Sequence, residues 1–221
     1  YVALSPSLSY KMDENLIRRL GLESDNKTFY YLSTGTRDIK QNKNEAINLN
    51  VMISALENPN LFYAFDNFED ATHYTLVARS IPKALQSIFF VFQPISKSEY
   101  KNHILLLETS PVSYLNEKYN MIKTLFGIEK KILVNDFRAI AAAIEKTSQF
   151  EYYQDLAKIA SKHHPDTLLA SFFLARYYEE TGKLKRAMKI YRSAYMLNEI
   201  GGYSKDNMLE RADEIKAEYG Y

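Results

Sequence analysis

Two residues of this chain stand where an acid–base pair could form. Asp38 follows the apolar run Thr28–Ser33 through Thr34-Gly35-Thr36-Arg37, and His73 closes the stretch that begins at Asp66, after the run Leu61–Phe65. If the two runs are neighbouring strands of a parallel sheet, each residue lies on a loop past a carboxyl end, the edge where ligands and catalytic groups gather. Adjacent strands are about 4.8 Å apart, so side chains on successive carboxyl-end loops can meet. A carboxylate bonded to one imidazole nitrogen sets the tautomer and stabilises the imidazolium. The other nitrogen is then a general base toward a hydroxyl. Glu69 and Asp70 are alternative carboxylates for His73, and an Asp behind a strand also caps turns.

Other reactive side chains are read more plainly. Ser5 and Ser7 lack the flanking glycines that a strained nucleophile turn needs, so both read as turn formers. Cysteine is absent, which excludes disulfides, thiolate metal sites and a thiol nucleophile, and leaves the redox compartment open. His163-His164-Pro165 ends a helix; adjacent histidines face different sides, and no His-Glu-x-x-His spacing occurs, so no metal site is expected. His103 has no companion. Lys183, Lys185, Arg186 and Lys189 read as a solvated helix face. With 28 basic and 27 acidic residues the net charge is +1, which gives no pull toward nucleic acid. No apolar run approaches the roughly 18 residues of a membrane span.

The elements that must position Asp38 and His73 alternate. Tyr1–Leu4 reads as a buried strand stopped by Ser5-Pro6-Ser7. A helix follows over 13–22, then the strand 28–33, a helix over 43–56, the strand 61–65, and a helix over about 74–92 with Ile81, Leu85, Ile88 and Phe89 on its buried side. Strand, helix, strand, helix is the signature of a parallel sheet with crossover helices. The 18 Tyr and 12 Phe, with no Trp, make an aromatic core with phenol groups at its margin.

From about residue 110 the pattern is wholly helical, with helices near 112–126, 135–147, 150–163, 166–181, 184–198 and 205–219. Leu174, Ala175, Tyr178, Gly182, Leu184, Ala187, Tyr191 and Ala194 follow the small/large spacing of a tetratricopeptide repeat (TPR). The preceding unit is degenerate, with Tyr153 where the small residue belongs. The domains expected are 1–95 and 112–221, joined by a connector at 96–111 in which Ile104–Leu107 forms a short strand or packed link.

Gly35-Thr36-Arg37-Asp38 after a strand, then Thr72-His73-Tyr74-Thr75-Leu76 leading a long amphipathic helix, with Tyr1-Val2-Ala3-Leu4-Ser5-Pro6-Ser7 upstream, resembles the last third of the esterase D, feruloyl esterase and enterochelin esterase group. The order Asp then His matches the order of triad partners in that fold. The resemblance implies the last strands and helices of an α/β-hydrolase parallel sheet over residues 1–93, followed here by an all-α, TPR-like region. It also implies a serine carboxylic-ester hydrolase acting on a small-molecule ester, with Asp38 as triad acid, His73 as triad base and no cofactor. The family's Gly-x-Ser-x-Gly turn is missing; before Gly127 the only glycines are Gly21 and Gly35. The expectation is therefore a C-terminal portion of a longer esterase whose serine precedes Tyr1. Exported enzymes occur in the group, which leaves localisation open. The alternative is a non-catalytic interaction module whose helices bind a protein partner or self-associate.

Overall fold

The computed structural model describes residues 1–22 and 25–220 and divides into two compact units, Tyr1–Phe90 and Val91–Tyr221. The first unit runs β1 (Val2–Leu4), α1 (Met12–Gly21), β2 (Thr28–Arg37), α2 (Lys40–Ser54), β3 (Leu61–Thr72) and α3 (Leu76–Ile88). Both strand pairs are parallel, in the order β1-β2-β3. Alternation along β2 divides its side chains between two faces. Tyr30 and Leu32 pack with Leu20 of α1 and with Ala46, Leu49 and Ile53 of α2. Ser33 points the other way, where its hydroxyl meets Ser80 of α3 at 2.8 Å in a buried contact.

That contact reverses the expected face of α3. Its buried residues are Leu76, Ser80 and Ala84, while Ile81, Leu85 and Phe89 are between 42% and 50% exposed. Small side chains are needed where a helix lies close to a sheet, and the Ser33–Ser80 hydrogen bond holds it there. Ile81, Leu85 and Phe89 are left on the outer side.

The second unit carries α4 (Lys97–Asn102), α5 (Pro111–Phe126), α6 (Val134–Thr147), α7 (Tyr152–His163), α8 (Leu168–Glu180), α9 (Leu184–Ser193) and α10 (Lys205–Tyr219). Its main core joins Leu115, Ile122, Phe137, Ile140, Ile144, Tyr153, Leu156 and Phe173. A smaller core joins Leu168, Ala175, Ala187, Tyr191, Met208 and Ile215. Ser96 and Glu99 form a reciprocal cap that starts α4, and Ile104–Leu106 is a 3-10 turn whose Ile104 is buried in this unit's main core.

The expected fold, an α/β-hydrolase sheet followed by a TPR-like region, is corrected by this architecture. Among the described residues the sheet has three strands, and the whole is a small α/β unit followed by non-repeating helices. Strand–helix–strand patterning specifies a parallel crossover, and it carries no information on how large a sheet that crossover belongs to. In the tail, α8 and α9 do close around Ala175 and Ala187, with Gly182 at positive φ in the turn. The repeat spacing is not kept beyond this hairpin. After α9 the chain makes a 3-10 turn at Ala194–Met196, bridges Thr167 to Asn198, and bridges Ile200 to Tyr203 before α10 begins. No helix among the described residues is long and apolar enough to cross a membrane.

One buried carboxylate organises the start of the second unit. Asp136 is 1% exposed. It accepts from the Ile95 amide and from the Tyr119 hydroxyl, each at 2.8 Å, and that hydroxyl in turn accepts from the Leu133 amide at 2.9 Å. Asp136→Ala would strand two donors and open a void, at a cost of about 2–4 kcal/mol. Thermal unfolding of the variant is expected to drop by roughly 10 °C. A midpoint within a degree or two of the wild type would refute this role.

Candidate active site

The site grows from the carboxyl ends of the strands. The register pairs Leu4 with Ser33 and Arg37 with Thr72. Ser5, Asp38 and His73 are therefore the first residues past β1, β2 and β3. β2 and β3 run further than their apolar cores, through polar residues that read as loop in the sequence. Thr34, Gly35 and Arg37 remain paired with Asn67, Phe68 and Thr72 across a register shift between Gly35 and Arg37. Gly35 permits this. A Cβ there would lie 2.8 Å from the Ala71 carbonyl carbon and 2.9 Å from its Cβ, with the carbonyl oxygen closer still.

After Arg37 the chain turns back, with the Asp38 amide donating to the Gly35 carbonyl at 3.1 Å. The Asp38 side chain is fully buried and that of His73 is 36% exposed. His73 Nδ1 lies 3.1 Å from Asp38 Oδ1. The same carboxylate accepts from the Ile39 amide at 2.7 Å on Oδ1 and from the Thr34 hydroxyl at 3.0 Å on Oδ2. Burial by itself pushes the Asp38 carboxyl upward. Hydrogen bonds from Ser5, Ile39, Thr34 and His73 outweigh it and hold the group below the usual carboxylate range. Asp38 is thus an anion at neutral pH.

His73 sits between β3 and α3, in a turn closed by the Thr75 amide donating to the Thr72 carbonyl at 3.1 Å. The Tyr74 ring meets the imidazole edge-on, with centroids 5.7 Å apart. No described residue hydrogen-bonds to Nε2. The alternative carboxylates are not brought to the ring. The Asp70 backbone amide donates to the Thr36 hydroxyl oxygen, the Glu69 backbone carbonyl accepts from Arg79, and among the described residues neither side chain hydrogen-bonds to the ring.

Ser5 and Asn42 are functional candidates that sequence reasoning passed over. Ser5 Oγ lies 3.0 Å from His73 Nδ1, and Asn42 Nδ2 donates to both the carbonyl and the hydroxyl oxygen of Ser5 at 3.1 and 3.2 Å. Asn42 carried a legible signal. It falls on the stripe Asn42, Ala46, Leu49, Ile53 that buries α2, and a buried amide in an apolar row has a partner to satisfy. Ser7 hydrogen-bonds to none of these residues.

The other histidines are structural. His163 Nδ1 accepts the Ile132 amide and His164 Nε2 donates to the Ile132 carbonyl, so the pair clamps one buried residue. His103 lies edge-on to Tyr114. Among the described residues no group of three His, Cys, Asp or Glu side chains could hold a metal ion. A cavity of about 840 Å³, lined by residues including Tyr1, Arg19, Phe29 and Asn58, opens at the amino ends of the strands, away from His73.

Fold and site together define an α/β unit with a histidine–carboxylate pair at the carboxyl ends of adjacent parallel strands. A crystal structure of an uncharacterised protein from Capnocytophaga ochracea DSM 7271 is similar to it, at 30% identity and a TM-score of 0.81, over 98% of this chain and 61% of that one. The chain thus spans 61% of that protein's length. No family model and no curated protein matches.

Proposed function

We propose that the chain contributes the acid and base of a serine carboxylic-ester hydrolase, with the serine supplied from sequence preceding Tyr1. One observation carries the reading: His73 gives Nδ1 to a buried, charged carboxylate, and no described residue hydrogen-bonds to its Nε2. That is the arrangement a general base requires. The short motifs around Asp38 and His73 that resemble the esterase D group add to it, as does the greater length of the similar solved protein.

The reaction follows from the geometry. The serine hydroxyl adds to the ester carbonyl as its proton passes to Nε2, and Asp38 stabilises the imidazolium. The tetrahedral adduct expels the alcohol, which takes that proton, and leaves an acyl-serine. Water then adds by the same route and releases the acid.

In the protein that includes the preceding sequence, His73→Ala is expected to lower turnover of p-nitrophenyl acetate by about 10²–10⁴-fold. Unchanged turnover would remove His73 from the mechanism. The 221-residue chain alone should hydrolyse the ester no faster than background; robust, His73-dependent hydrolysis by it would place the nucleophile inside this chain.

A further inference from the structure

A helix turns about 100° per residue, so Val77, Ile81, Leu85 and Ile88 of α3 fall in one stripe beside the buried row Leu76, Ser80 and Ala84. Val77 is 54% exposed, Leu85 50% and Ile81 42%, and Ile88 is half-buried. Single exposed apolar side chains are ordinary on a surface, whereas a contiguous row marks a place where something packs. Arg79 and Lys83 fall on the opposite flank of the helix.

Contacts on the page orient the two flanks. Arg79 donates to the Glu69 carbonyl of β3 at 2.5 Å, and Phe90, just past the helix, meets Phe62 of β3 with ring centroids 5.9 Å apart. The charged flank therefore faces β3. The apolar stripe faces the other way, toward β1, and Ile88 lines the same cavity as Tyr1. Val2 continues the stripe onto the sheet. It pairs with Tyr31, two residues from Ser33, so it lies on the face that carries α3. It is 44% exposed, and β1 is an edge strand. The α3 flank is thus the wall of an apolar step and β1 is its floor.

The step has the dimensions of a helix seat. Packed helices lie about 8–10 Å apart, roughly twice the strand spacing of about 4.8 Å. α3 itself touches β2 through Ser80. A helix on its apolar flank would lie over β1 and cover Val2. The stripe from Val77 to Ile88 is about 16 Å long, some three turns.

We infer that this step seats an amphipathic helix from the sequence preceding Tyr1. The inference rests on the ester-hydrolase reading in one respect, that such sequence exists. Two observations select this occupant. Chain entering at Tyr1 arrives beside Val2 and Ile88, at the step itself. The similar solved protein also extends well beyond the 61% of its length that this chain matches.

The test is photo-cross-linking in the protein that includes the preceding sequence, with benzoylphenylalanine at position 85 or, as control, at position 83 on the charged flank. Position 85 should cross-link within one chain to a peptide from before Tyr1, and position 83 should not. Leu85→Glu should lower the thermal midpoint of that protein by about 6 °C or more, and that of the 221-residue chain by about 2 °C or less, because only in the longer protein is the side chain covered. Cross-links from position 85 without any such peptide, whether to residues 1–221, to a second copy or to another protein, would overturn the inference. So would equal shifts in midpoint in the two proteins. Neither readout involves catalysis. The expected cross-link with hydrolysis unaffected by His73→Ala keeps the docked helix and removes the ester-hydrolase reading; His73-dependent hydrolysis without that cross-link does the reverse.

Discussion

Asp38→Asn is expected to lower kcat for ester hydrolysis by about 10³–10⁴-fold with little change in KM, in the protein that carries the serine. The substitution preserves shape and removes charge, and each orientation of the new amide fails for its own reason. With the carbonyl at the Oδ1 position, the Ile39 amide and His73 Nδ1 still have their acceptor, but the imidazolium that forms during attack has no anion beside it. With the NH₂ group there, donors oppose each other at Ile39 and at Nδ1, and the ring is driven to the Nε2–H tautomer, which cannot accept a proton. A fall confined to KM, or one smaller than about tenfold, would show that Asp38 has no part in forming the imidazolium.

The same carboxylate links the site to acid stability. Asp38 is held below the usual carboxylate range in the folded chain, and an unfolded Asp titrates near 3.9. A group with a depressed folded pKa contributes stability that is fully present above the unfolded value and is lost as pH falls through the folded one. Wild-type stability should therefore decline below about pH 4, in part through Asp38. Asp38→Asn should be less stable at pH 7 and lose less between about pH 5 and 2. Chemical denaturation at those pH values reads this directly.

How much of the site could be read in advance depends on which forces place each residue. Asp38 and His73 were legible because each follows an apolar run, and parallel pairing of two such runs puts their ends side by side. The lengths of β2 and β3 were not. Asp66, Asn67, Glu69 and Asp70 read as loop by composition; Asp66 and Asn67 stay in the ladder and Glu69 and Asp70 fall in its irregularity, beside a glycine-permitted approach that composition does not show. Hydrophobicity alone points to the wrong face of α3, because Ile81, Leu85 and Phe89 are exposed whereas Ser80 and Ala84 lie against the sheet. Ser5 was dismissed for lacking an elbow's glycines. Its left-handed backbone and its two tertiary partners become visible only when β1 and α2 are side by side. In the tail, the Ala175–Ala187 pair marked one real hairpin, and extrapolation to a repeat failed at the irregular segment between Ser193 and Lys205.

The approach of β2 to β3 leads to the largest stability effect expected in the first unit. Gly35 has no unusual backbone angle, so its need for glycine lies in space alone. A methyl group there meets backbone, the Ala71 carbonyl, and backbone in a strand ladder cannot swing aside as a side-chain tip can. Gly35→Ala must therefore part the strands between Thr34 and Thr72, where the pairing of Arg37 with Thr72 brings Asp38 level with His73. The expected loss is about 3 kcal/mol or more, read as a lower denaturation midpoint. Ester turnover should fall further than the remaining folded fraction accounts for, because the Asp38–His73 hydrogen bond at 3.1 Å spans the two strand ends being separated. Gly21→Ala is the control: among the described residues its added methyl meets only Leu56 Cδ2, at 3.4 Å, so stability should hold within about 1 kcal/mol. If Gly35→Ala proved as mild as Gly21→Ala, the close contact would not be what holds these two strand ends together, and the placement of Asp38 beside His73 would need another cause.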